Sequence, residues 1–198
     1  MAKGPGGGGQ GSGGGGGAAA IPQAVTIFDS YASITQQNLV DMALLPTALL
    51  RDLAAQGVQW QIGDRLIPDF IGYAGMRNRL TPDGRTYGSI GGMYSIIDST
   101  VLAGGGPHGS ASMVLHETGH AIGNVLGYHD SPQTRAAHAA NWHKLPSYFD
   151  NTDRGRREFF AESVAQHAKY GREWTANAYG KPYSDYLKKT VFKGQKKS

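Results

Sequence analysis

The sequence contains no cysteine. That excludes a disulfide framework, a thiol nucleophile and any metal site built on sulfur, so a metal held by this chain takes its ligands from histidine and carboxylate side chains. Long apolar runs are also missing. No stretch approaches the roughly 20 apolar residues that span a bilayer, and Ala18-Ala19-Ala20-Ile21-Pro22 is too short for the apolar region of a secretory signal. Glutamate is scarce, at positions 117, 158, 162 and 173 alone, and all five methionines (1, 42, 76, 93 and 113) lie at or before position 113. Positive charge is in small excess, a formal +4. Its densest run, Lys188, Lys189, Lys193, Lys196 and Lys197, ends the chain instead of spreading among aromatics across a surface. This reads as a solvated basic tail and argues against a nucleic-acid partner.

Glycine is what the chain has in quantity, and eleven of its 30 glycines fall within the first 20 residues, leaving 19 for the other 178. Residues 1–20 therefore read as a disordered Gly-rich tail that cannot bury enough apolar surface to offset its ordering entropy. Residues 21–190 carry enough Leu, Ile, Val and aromatics for one core of ordinary size, and 191–198 read as the basic tail. Within the domain, helical spacing runs over Leu39–Leu45 and Thr47–Ala55, with Pro46 between them and Gly57 as a stop. Val58–Ile62 alternates with period two and reads as a strand, and Gly91–Ser95 and Ser99–Leu102 read as two more around Ile96-Ile97-Asp98. Helices are expected over Ala111–Leu126 with Ser110 or Ser112 as cap, over Pro132–His143, and over Arg154–Tyr170, with a short one opening at Lys181-Pro182.

The stretch His116-Glu117-Thr118-Gly119-His120 carries the most information. Two histidines at i and i+4 lie one turn apart on one face of a helix and can bind one zinc ion, which places Glu117 beside the metal and not on it. A carboxylate there suits a general base that takes a proton from a zinc-bound water nucleophile and passes it to the leaving amine. Val114, Leu115, Ala121, Ile122, Val125 and Leu126 give the helix an apolar back.

Such a site needs a third protein ligand and one open position. A third histidine six residues after His120 is excluded, because that position is Leu126; His129 is three residues late, and no methionine follows the motif to form the Met-turn that accompanies that pattern. A glutamate from a later helix is the other option. Glu158 and Glu162, in Glu158-Phe159-Phe160-Ala161-Glu162, share a helix face, so one can bind the metal while the other hydrogen-bonds the outer nitrogen of a ligand histidine. His129, His138, His143 and His167 are expected in exposed or packed roles, while His108 sits on a loop expected to border a cleft.

The motif at 116–120, Gly127-Tyr128 after it, the segment at 158–162, and the stretch from Gly92-Met93-Tyr94-Ser95 to Val101-Leu102 together resemble the protease domain of anthrax lethal factor and the Pro-Pro endopeptidases. The similarity of pattern runs from about residue 38 to 170 and is strongest at the two metal helices. The resemblance implies that Glu158 is the third zinc ligand with Glu162 behind it. It also implies a tyrosine seven residues before Glu158 that steadies the oxyanion, but Asn151 stands there, and Tyr148, ten residues before Glu158, is the candidate for the role. The stretch Gly91, Gly92, Met93 and Tyr94 would be the substrate strand, pairing with an extended protein or peptide substrate. The resemblance further implies a bacterial secreted or toxin-like effector, leaving by a route without a Sec signal peptide.

The expectation is thus an α+β zincin-like domain, a small and mostly antiparallel sheet packed on the active-site helix with a helical C-terminal half. It would act as a zinc endopeptidase holding one ion per chain. The alternative is a zinc-stabilised, catalytically inactive protein-binding module. An intact Glu117 argues against that module, because a purely structural site has no use for a base beside the metal.

Overall fold

A computed structural model describes residues 24–81 and 84–194. The Gly-rich segment 1–20 and the last lysines of the basic tail lie outside the described residues. Four strands, β1 (Val25–Ile27), β2 (Gln59–Ile62), β3 (Gly92–Ser95) and β4 (Thr100–Ala103), form one sheet in the order β1-β2-β4-β3. Six helices complete the α+β fold: α1 (Ser33–Met42), α2 (Thr47–Ala55), α3 (Met113–Leu126), α4 (Pro132–Asn141), α5 (Asp153–Tyr179) and α6 (Lys181–Thr190).

The sheet is not mostly antiparallel. β1 with β2 and β2 with β4 pair in parallel, and β3 with β4 alone is antiparallel. The reason lies in the connections. Two helices separate β1 from β2, and a long stretch of turns separates β2 from β4, so those strands can run the same way. Only the short link 96–99 forces a reversal. Period-two alternation reports which face a side chain takes and carries no information about direction.

The start of α1 also differs from the expected Leu39. Its buried face is Thr35, Asn38, Asp41 and Met42, which is polar over the first two turns and therefore invisible to a search for apolar periodicity. Elsewhere the local signals hold. Ser131 caps α4, its Oγ accepting from Thr134 N at 3.1 Å with Pro132 following, and Thr152 Oγ1 accepts from Gly155 N at 3.1 Å to start α5. Ser112 occupies the N-cap position of α3 without making a side-chain capping bond. The expected end at Tyr170 corresponds to a break inside α5: Gly171 has φ +83°, which a residue with a Cβ adopts only under strain, and a further helical stretch runs on to Tyr179.

The core fills the space between the sheet, α3 and α5. Trp60, Ile62, Val101, Leu115, Ile122, Phe159, Phe160 and Leu187 are all buried. Buried Trp60 donates from Nε1 to Thr118 Oγ1 at 3.0 Å, fixing the register of α3 on β2. The folded body reaches past residue 190: Val191 and Phe192 are buried, and Phe192 stacks on His167 with ring centroids 4.5 Å apart. Among the described residues, no helix is long and apolar enough to cross a membrane.

Candidate metal centre and its cleft

Helix α3 carries His116 and His120 one turn apart, and α5 brings Glu158 to them. His116 Nε2 and His120 Nε2 lie 3.2 Å from each other, and Glu158 Oε2 is 3.2 Å from the first and 3.1 Å from the second. Three lone-pair atoms thus converge on one point, an arrangement able to hold a metal ion. Close approach of the two helices produces it. A Cβ built on Gly119 would lie 2.7 Å from Ala161 Cα and 2.9 Å from its carbonyl oxygen, so no side chain fits at that crossing.

Glu162, one turn after Glu158, meets the other side of the His116 ring, with Oε2 3.1 Å from Nδ1. Its Oε1 accepts from Ala111 N at 3.2 Å and from Gln166 Nε2 at 2.9 Å. The Tyr179 hydroxyl donates to Gln166 Oε1, which fixes the amide so that its NH2 faces Glu162. Gln166 and Tyr179 were not legible in the sequence as parts of the site. Gln166 lies one turn past Glu162, a spacing that could have flagged it; Tyr179 arrives only through the break at Gly171.

Electrostatics at the centre follow from this grip. Burial alone would make His116 less basic, but hydrogen bonds to Glu158 and Glu162 outweigh it and raise its pKa to about 10. The same contacts, to His116 and His120, hold the Glu158 carboxyl well below the usual range against the opposing effect of burial. Carboxylates that raise the basicity of an imidazole in this way also strengthen it as a ligand to a cation. Glu117 is different: burial pushes its carboxyl above the ordinary value, and His116 and His120 only partly offset that.

Glu117 faces the sheet edge. The bond from Gly104 N to Gly91 O (2.6 Å) and the β3/β4 register put Gly91, Met93 and Ser95 in the hydrogen-bonded positions of the ladder. Gly92 and Tyr94 therefore point their main-chain groups away from β4, along the free edge of the sheet. Glu117 Oε1 lies against β3, 3.0 Å from where a Cβ on Gly92 would stand.

The triad opens into a cleft of about 900 Å³, bordered by Gly91 to Tyr94 on one side and by α5 and Tyr148 on the other. Tyr148 lies in a turn, Ser147–Phe149, and lines the cleft together with Glu158. Burial, and then the charge of Glu158, raise the pKa of this phenol, so it stays protonated at neutral pH and able to donate. The Arg154 guanidinium lies 5.7 Å over the Tyr148 ring. Asn151 is exposed and does not line the cleft.

The remaining histidines divide. His108 and His129 line the cleft, His129 with Nε2 3.0 Å from Asp130 Oδ2. His138 is buried against Phe159 with Nε2 3.2 Å from the Phe149 carbonyl, His167 is buried with Nδ1 2.9 Å from Thr175 Oγ1, and His143 is exposed.

Compared with known proteins, the chain matches no family model and no curated sequence. Its fold, however, is similar to that of the Pro-Pro endopeptidase PPEP-2 from Paenibacillus alvei. The TM-score is 0.66 over 84% of this chain and 97% of that one, at 16% sequence identity.

Proposed function

We propose that this chain is a zinc-dependent endopeptidase. The observation that carries the reading is the triangle of His116, His120 and Glu158 ligand atoms with sides of 3.1–3.2 Å. Tetrahedral zinc with bonds of about 2.0–2.1 Å sets its ligand atoms about 3.3 Å apart, so the donor set fits the ion in chemistry and in size. Two imidazoles and one carboxylate are also a donor set of catalytic zinc sites, which keep a fourth position open. The likeness in fold to a protein named as an endopeptidase supports the same reading.

A zinc ion held by these three groups would supply a Lewis acid that polarises the scissile carbonyl and acidifies a water. The chain's own residues do the rest. An extended peptide pairs with the free edge of β3, where Gly92 and Tyr94 present main-chain groups. Glu117 takes the proton from the attacking water at its carboxylate and gives it to the leaving amine, a task its raised pKa suits. The Tyr148 hydroxyl donates to the oxyanion that forms on the carbonyl oxygen. Glu162 fixes the tautomer and the ring plane of His116.

A metal-stabilised binding module is the competing reading, and the position of Glu117 disfavours it. The cluster offers three ligand atoms among the described residues, and the buried carboxylate of Glu117, next in sequence to His116, does not join them. The test is turnover of a peptide library with and without chelator, beside metal analysis. Glu117→Gln should keep about one zinc per chain and lose about 10²–10⁴-fold in kcat. A wild type that binds zinc and cleaves nothing would return the reading to the binding module.

A further inference from the structure

We infer that the α5 wall of the cleft is a basic subsite, formed by Arg157 with Arg154, which selects peptides carrying an acidic side chain close to the scissile bond. This rests on the peptidase reading and deepens it. The first turns of α5 contain three arginines, and only one of them is used by the fold. Arg156 is buried, bonded to Asp153 and Asp130 at 2.7 Å each and to the His129 carbonyl. Arg154 and Arg157, one turn apart, are exposed and line the cleft. Arg157 immediately precedes the metal-site residue Glu158, and Arg154 is held against the ring of Tyr148.

Among the described residues, the carboxylates that line the cleft are bonded or buried elsewhere. Asp153 bonds Arg156, Glu158 bonds both histidines, Glu162 bonds His116, Ala111 and Gln166, and Glu117 is buried beside Gly92 of β3. Asp130, beside the cleft, is shared by His129, Arg135 and Arg156. Among the described residues, Arg154 and Arg157 consequently have no ion pair. Two guanidinium groups facing a concave site, with no acid among the described residues to meet them, fit an anion that arrives from outside. Guanidinium prefers a carboxylate, which it can bind through two parallel hydrogen bonds. Low-dielectric walls concentrate the field of such a pair beyond what an open surface allows. The stretch Ile90 to Tyr94 carries no charged side chain, and Arg85 is the one other arginine among the described lining residues, so the adjacent pair of guanidinium groups is a feature of α5.

The test uses the full chain loaded with zinc and a library of ten-residue peptides in which one position at a time is Glu, Gln or Lys. Binding is read in the Glu117→Ala variant, as enrichment in the bound fraction, so that it does not depend on turnover; cleavage is read in the wild type. Glu should exceed Gln by about fivefold or more at one position, and the preference should weaken as salt is raised. Adding Arg157→Gln should abolish that ratio, and Arg157→Glu should shift it toward Lys. A Glu-to-Gln ratio of one at every position overturns the subsite. So does a Glu preference that survives the Arg154→Gln/Arg157→Gln double variant, since the carboxylate would then be ligating the metal. A ratio that behaves as expected alongside a wild type that cleaves nothing leaves the basic wall standing and removes only the peptidase reading.

Discussion

Glu158 and Glu162 hold the His116 imidazole from its two ends, Oε2 of one lying 3.2 Å from Nε2 and Oε2 of the other 3.1 Å from Nδ1. One turn of α5 thus separates the carboxylate that meets both histidines from the one that meets the far side of His116. The relay continues along the helix through Gln166 to Tyr179.

This relay predicts graded losses of metal affinity. Glu162→Gln should weaken zinc binding about 10–100-fold. Gln166→Leu, which removes a hydrogen bond to Glu162 and leaves His116 untouched, should weaken it several-fold. Chelator competition measures both, and equal affinity in Glu162→Gln and wild type would show that Glu162 does not aim the ligand.

Tyr148→Phe tests the oxyanion role. With only a hydroxyl removed, kcat should fall about 10²-fold while KM changes little and zinc content stays constant. A rise in KM at constant kcat would place Tyr148 in substrate binding instead.

Gly119 sits where α3 touches the backbone of α5, with Ala161 Cα 2.7 Å from a built Cβ. Gly119→Ala should therefore destabilise the fold by about 1–3 kcal/mol, and it should loosen the triad because the crossing sets the distance from the histidines to Glu158. Thermal unfolding and zinc affinity should fall together; a lower melting temperature with unchanged zinc affinity would uncouple them.

His167 predicts an acid limb in the stability profile. Burial, reinforced by the charges of Arg172 and Lys188, holds its pKa down to about 4 from an ordinary value of 6.5. The unfolded chain therefore takes up a proton before the folded one does. Stability unaffected above about pH 6.5 should fall progressively as the pH drops toward 4, by a total of about 3 kcal/mol from this residue. Denaturant midpoints at pH 7 and pH 5 should show about 2 kcal/mol of that drop in wild type and less in His167→Gln.

Much of the site was legible because its signals are local. The spacing of His116, Glu117 and His120 is a property of one helical turn, as is that of Glu158 and Glu162, and a period of 3.6 residues suffices to place each pair on a face. The starts of α4 near Pro132 and α5 near Arg154, and the end expected at Tyr170, are local in the same way. The buried face of α1 escaped because it is polar, and the mixed sheet escaped because strand direction is set by what connects the strands.

By itself, the sequence determined which residue types could hold a metal, since a chain without cysteine and with four glutamates leaves few choices, and it determined that two helices would carry them. Periodicity left Glu158 and Glu162 interchangeable and only the resemblance favoured Glu158; the tertiary structure brings Glu158 to both histidines, because that depends on how closely α5 crosses α3 at Gly119 and Ala161. It likewise brought Tyr148 to Glu158 across a loop, Tyr179 to Gln166 across the turn at Gly171, and Arg157 to the cleft while turning Arg156 inward. Those juxtapositions come from packing between elements distant in the chain, and no periodicity within one element encodes them.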